Sequence, residues 1–163
     1  MNRTAALGTI FITGYRAIGS VGVLAISLLL AGTVFAAYKQ QFGPNDLAIR
    51  QVITTYIEAT DDQQLSRLDS VLHPTYRTVW NRFYGDDVLV LTRRQYMDHV
   101  RKDDIGGVPR TVRFDRIEMV GTIALVKLTM ESRGLTYTCF VSLIQDVAGR
   151  WWVVDDLPYL KRF

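Results

Sequence analysis

Few residues in this chain can move a proton or hold a ligand, and their spacing narrows the chemistry. His73 precedes Pro74 at an expected helix end, where an imidazole can cap free carbonyls. His99 falls beside Tyr96 on the inward side of a later helix. It is the best single candidate for acid–base work, because imidazole titrates near neutrality. The two lie 26 positions apart with no HxH or HExxH spacing, and Cys139 is the only cysteine. No metal-ligand pattern results, and no cofactor is expected. Cys139 sits in an alternating segment as a small buried hydrophobe. Four aspartate doublets stand out: Asp61-Asp62, Asp86-Asp87, Asp103-Asp104 and Asp155-Asp156. Each is expected at a turn or element end, where aspartate accepts backbone N–H groups. Asp155-Asp156, after the last strand, is the pair most worth mutating. GxSxG, GxGxxG and Walker-type loops are absent, which removes nucleophile-elbow and phosphate-cradle chemistry.

The elements that must position these groups come as helices first and strands second. Asn45 or Asp46 caps a helix whose Ile49, Val52, Ile53, Tyr56 and Ile57 share one face. A second helix buries Leu65, Leu68, Val71 and Leu72 and stops at His73-Pro74, since proline disfavours helical geometry in the preceding residue. From Tyr76 the period becomes two, with Tyr76, Thr78 and Trp80 on one face and Arg77, Val79 and Asn81 on the other. Gly85-Asp86-Asp87 turns a hairpin back through Val88 to Leu91. Thr92 caps a third helix to about Lys102, with Tyr96, His99 and Val100 on a common face. Its Arg93, Arg94, Arg101 and Lys102 read as a solvated face. Asp103 to Pro109, with Gly106-Gly107, is the expected mobile loop. Strands follow over Thr111 to Val120, Ile123 to Arg133, Leu135 to Val147 and Arg150 to Asp155, then a tail from Leu157 to Phe163. This order gives an α+β domain: about three N-terminal helices in a strongly curved, mostly antiparallel sheet that encloses a cone. A cone closed at one end is a ready pocket.

Composition bounds the partners. The chain has 163 residues, 48% of them hydrophobic and 21% charged, and a net charge of +3. Arg3 and Arg16 belong to an acid-free leader; without them 17 bases face 16 acids. That balance is not the basic footprint of a nucleic-acid binder. The leader runs apolar from Val21 to Phe35 and ends in Val34-Phe35-Ala36, a small-x-small cleavage signal. Residues 1–36 are therefore expected to be a signal peptide or an N-terminal membrane anchor, 37–45 a linker, and 46–163 the folded domain. Cleavage would leave 127 residues, whereas the 22 uncharged residues between Arg16 and Lys39 suffice for an anchor. Either way the domain is expected outside the cytoplasm: periplasmic, extracellular, or tethered to the membrane.

Three stretches carry a family resemblance: VITTYIEATDDQQLSRLDSVLHP, GDDVLVLTRRQYMDHV and TYTCFVSLIQDVAGRWWVVDD. From Ile49 to Phe163 the chain resembles the nuclear transport factor 2-like superfamily, in its lumazine-binding, SnoaL-like branch. The resemblance implies a ligand-holding cone and a homodimer through the outer face of the sheet. Ketosteroid isomerases share this fold, with a tyrosine, an aspartate base and a protonated aspartate. Tyr56 falls at the tyrosine position, but the base position falls on Trp80 and the protonated acid on about Val141. Those replacements disfavour that isomerase chemistry and make the pocket more aromatic and apolar. The expected function is non-catalytic binding of a small apolar or aromatic ligand, lined by Tyr56, Trp80, Tyr96, Cys139 and Val141. One alternative is an isomerase, dehydratase or cyclase with His99 as base and Tyr56 as electrophilic donor. The other is a protein-docking module of the cell envelope.

Overall fold

Apolar residues at helical spacing after Gly43 form the first element, α1 (Pro44–Asp61), which buries Ile49, Ile53, Tyr56, Ile57 and Thr60. A computed structural model describes residues 43–82 and 85–162. The expected leader over 1–36, and the linker up to Phe42, lie outside the described residues. Helix α1 begins earlier than Asn45 or Asp46 would have it. Gly43 is the N-cap and Pro44 opens the helix, where a missing N–H costs nothing. Asp46 instead pairs with Arg50 one turn on, at 2.6 Å. Helix α2 (Leu65–Asp69) is short, and α3 (Arg93–Arg101) starts in a capping box. In that box the Thr92 N–H donates to Gln95 Oε1 at 3.0 Å.

Six strands form one sheet: β1 (Leu72–Asn81), β2 (Val88–Thr92), β3 (Thr111–Val120), β4 (Ile123–Ser132), β5 (Leu135–Gln145) and β6 (Trp151–Arg162). Their spatial order is β2-β1-β6-β5-β4-β3. Every neighbouring pair is antiparallel except β1 and β6, which run parallel. Alternation then sorts the side chains. Tyr76, Thr78 and Trp80 of β1 are buried together, as are Val126 and Leu128 of β4 and Cys139, Val141 and Leu143 of β5. The inner face packs on α1, with Ile49, Ile53 and Val141 fully enclosed.

Two boundaries differ from the sequence reading, each for a local reason. The second helix stops at Asp69, and Leu72 already belongs to β1. Between Leu72 and Arg77 the register with β6 shifts, and the extra residues include His73 and Pro74. Proline is tolerated at such an irregularity because no ladder N–H is required of it. His73 therefore caps no helix: its Nδ1 sits 2.7 Å from Thr75 Oγ1, with its ring edge-on to Trp152. The last strand runs on through Asp155, Asp156 and the expected tail to Arg162. Within β6, Val153 pairs with Leu143 and Asp155 with Ser142, so Val154 is a bulge residue. Pairing with β1 reaches only Asp156. Beyond it no described strand pairs with that side of β6, and Pro158 fits there without breaking a ladder.

Candidate functional site

Three tyrosines from three elements meet in the cone. Tyr56 comes from α1, Tyr76 from β1 and Tyr96 from α3, with ring centroids 5.4–6.2 Å apart. The Tyr56 hydroxyl donates to Asp156 Oδ2 at 2.9 Å and lies 2.9 Å from the Tyr76 hydroxyl. With the Tyr56 proton committed to the carboxylate, Tyr76 donates to Tyr56. Thr60 Oγ1 donates to the Tyr56 carbonyl at 2.8 Å, so the Tyr96 hydroxyl, 3.1 Å away, donates to Thr60. Burial raises all three tyrosines above their ordinary value, so each hydroxyl keeps its proton and serves as a donor.

Asp156 is the focus of this network. It is 7% exposed, and its Oδ1 is buried with no hydrogen-bond partner among the described residues. Burial pushes its carboxyl up to about 6, against the lowering effects of the Tyr56 hydrogen bond and the Arg110 charge. The neighbouring thiol of Cys139 is likewise pushed well up by burial and stays protonated.

The rim is fixed by an ion pair. The Arg110 backbone N–H and Nε donate to the two carboxylate oxygens of Asp61, at 2.9 and 2.6 Å. Burial opposes the Arg110 charge, but the Asp61 hydrogen bonds and charge outweigh it and hold the guanidinium above its usual value. Gly107 N–H donates to the Asp61 carbonyl at 2.8 Å. The expected mobile loop is therefore tied to the C-terminal end of α1.

Tyr56, Tyr96, Asp61, Arg110, Cys139 and Asp156 border a cavity of about 240 Å³, with Ile57, Ile105, Leu128, Met130 and Leu135 among its apolar walls. Tyr56, Trp80, Tyr96, Cys139 and Val141 all line it. His99 does not. It lies on the exposed side of α3, its Nδ1 3.0 Å from Asp104 Oδ2. Among the described residues no cluster of His, Cys, Asp and Glu is arranged to hold a metal.

Sequence reading missed Asp156 and Arg110 as cavity groups, and Tyr76 as the buried hydroxyl behind Tyr56. Taking the last strand to end at Asp155 made the doublet a strand terminus. A strand drawn through Leu160 would have forced one of two adjacent aspartates inward, whichever register held. The bulge at Val154 selects Asp156 and seats it opposite Val141 on β5. Counting along the chain put a possible acid at Val141 itself; the carboxyl stands one strand over.

A family model described as "Putative lumazine-binding" matches residues 44–157. The chain belongs to this family. Among solved structures, this lumazine-binding-family domain is similar to an NTF2-like protein of unknown function from Shewanella baltica OS155. The TM-score is 0.62 at 18% identity, covering 71% of this chain and 93% of that one. A ketosteroid isomerase-like protein from Erwinia carotovora atroseptica matches with TM-score 0.60 at 10% identity, over 73% and 98% of the two chains. The CaMKII hub of S. rosetta matches with TM-score 0.59 at 13% identity, over 74% and 98%. At these identities the likeness establishes the nuclear transport factor 2-like fold alone. No curated protein matches the chain significantly.

Proposed function

We propose that this domain binds a small, largely apolar or aromatic ligand in its cone without transforming it. Tyr56, Trp80, Tyr96, Cys139 and Val141 form the wall, and Asp156 orients the bound molecule. The observation that carries this reading is the pairing of an apolar cavity with one buried, unbonded carboxylate oxygen. An unsatisfied buried acceptor is costly, and a ligand N–H or O–H would remove that cost. At about 240 Å³ the space is below the range of about 300–1,000 Å³ usual for drug-sized ligands, so the molecule is small. Val141→Phe would fill the cone from β5. Native mass spectrometry of gently purified protein should show a co-purifying small mass that the variant loses while its circular dichroism is unchanged. A mass retained by the variant would place the ligand elsewhere.

A second reading has its own support. A carboxyl that ionises near 6, hydrogen-bonded to a tyrosine, suits proton transfer in an isomerase, dehydratase or cyclase. Asp156 then takes the role of base that His99 held in the sequence reading, with Tyr56 as electrophilic donor. Activity would rise with pH through about 6 and fall at least 100-fold in Asp156→Asn. A pH-independent rate would sink this reading.

We further propose that the domain is exported, on the support of Arg3 and Arg16 before a 22-residue uncharged stretch. Homodimerisation through the outer sheet face is proposed on the support of Leu125, Phe140, Leu157 and Tyr159, all exposed there.

A further inference from the structure

The charges around the cone do not all find partners among the described residues. Of the charged residues lining the cavity, Asp61 and Arg110 neutralise each other and Asp104 is held by His99. Two remain. Asp156 leaves Oδ1 unbonded, and Arg133 makes no ion pair among the described residues. Arg133 occupies the two-residue turn between β4 and β5, with φ of +44° at Arg133 and +76° at Gly134. That turn favours glycine, asparagine or aspartate at its first position, so an arginine is held there against its backbone preference. Strain of this kind recurs where a side chain has a task.

The position of Arg133 indicates what that task is. A second, shallower concavity of about 590 Å³ shares Val108, Ser132, Arg133 and Leu135 with the cone. The cone therefore opens into a groove, and Arg133 lies at the junction. The groove also carries Glu131, whose charge acts on Arg113 of the neighbouring strand. A guanidinium offers a planar fork of donors matched to a carboxylate. One such cation suits a single negative charge rather than a phosphate dianion.

We infer that the ligand is a small aromatic acid: a ring system in the cone, a hydroxyl or amine hydrogen on Asp156, and a carboxylate on Arg133 at the mouth. This rests on the ligand-binding reading of the cone and gives it a chemical class. A cationic tail would meet a like charge at the mouth, and a wholly neutral ligand would leave Arg133 unused.

The test is calorimetric titration of the full-length protein in lipid nanodiscs, with empty nanodiscs subtracted, using 6-hydroxy-2-naphthoate, 2-naphthoate and 2-naphthol. The hydroxy acid should bind at least about fivefold more tightly than either single-ended probe. Its advantage over 2-naphthol should shrink at high salt, because an exposed cation is screened. Arg133→Gly suits the positive φ and should keep the fold. It should abolish that advantage and leave 2-naphthol affinity unchanged. Equal binding of the hydroxy acid and 2-naphthol, or a preference that survives Arg133→Gly, overturns the acid class and leaves the cone reading intact. Binding that persists in Val141→Phe lies outside the cone and overturns the inference. Binding of none of the three overturns the acid class, and the co-purifying mass then decides the cone reading on its own.

Discussion

Burial gives Asp156 a thermodynamic signature of its own. Its carboxyl is raised from 3.8 to about 6 in the folded protein, first by desolvation. Between those values the folded state binds a proton that the unfolded state has released. The stabilising contribution is thus complete below 3.8 and is lost as pH rises through about 6. At pH 8 the ionised carboxylate opposes folding by about 3 kcal/mol. Asp156→Asn keeps an oxygen to accept from Tyr56 and discards the charge. It should be more stable than the parent by up to about 3 kcal/mol at pH 8 and no more stable at pH 4, read from urea melts. A gain that does not vary with pH would show that the carboxyl titrates alike in the folded and unfolded states. A group that destabilises its own domain at neutral pH fits a residue retained for the cavity it lines.

At the scale of elements, the loop after α3 depends on two glycines that do different work. A Cβ at Gly106 would stand 2.0 Å from the Thr60 carbonyl oxygen, and φ is +91°. Gly107, at φ +75°, has open space except for Gln63 at 3.6 Å. Gly107→Ala should cost about 1 kcal/mol through backbone strain alone, whereas Gly106→Ala should cost about 3 kcal/mol or lift the loop from α1. Equal melting temperatures for the two variants would contradict that contact. Element order, the α1 face, the inward set of β1 and the inward Cys139 and Val141 of β5 were legible in the sequence, because burial on one face imposes a period. The limits of α2 and β6 were not. Val71 and Leu72 fit the end of a helix or the start of a strand equally well, since a run of two carries no period. Asp155-Asp156 resembled a strand end because its inward seat depends on the Val154 bulge, a property of pairing with β5 rather than of local composition. His99 was placed on an inner face by spacing alone, and the helix turns it instead toward Asp104.

For the whole molecule, the outer face of the sheet is the feature without a partner among the described residues. Phe140 and Leu157 are direct cross-strand neighbours, 43% and 44% exposed. Phe140→Glu should leave the fold's stability within about 0.5 kcal/mol, as surface changes usually do. If two copies meet through this face, the same change should convert a sedimenting dimer into a monomer. Parent protein that already sediments as a monomer would remove the dimer proposal. The rim of the cone, meanwhile, is closed by Asp61 and Arg110, where small secreted domains often use sulfur. The single thiol is buried and protonated. The fold therefore carries no imprint of redox poise: glutathione inside a cell and an oxidising envelope outside it meet the same molecule. A chain of this kind needs no disulfide-exchanging foldase in either setting.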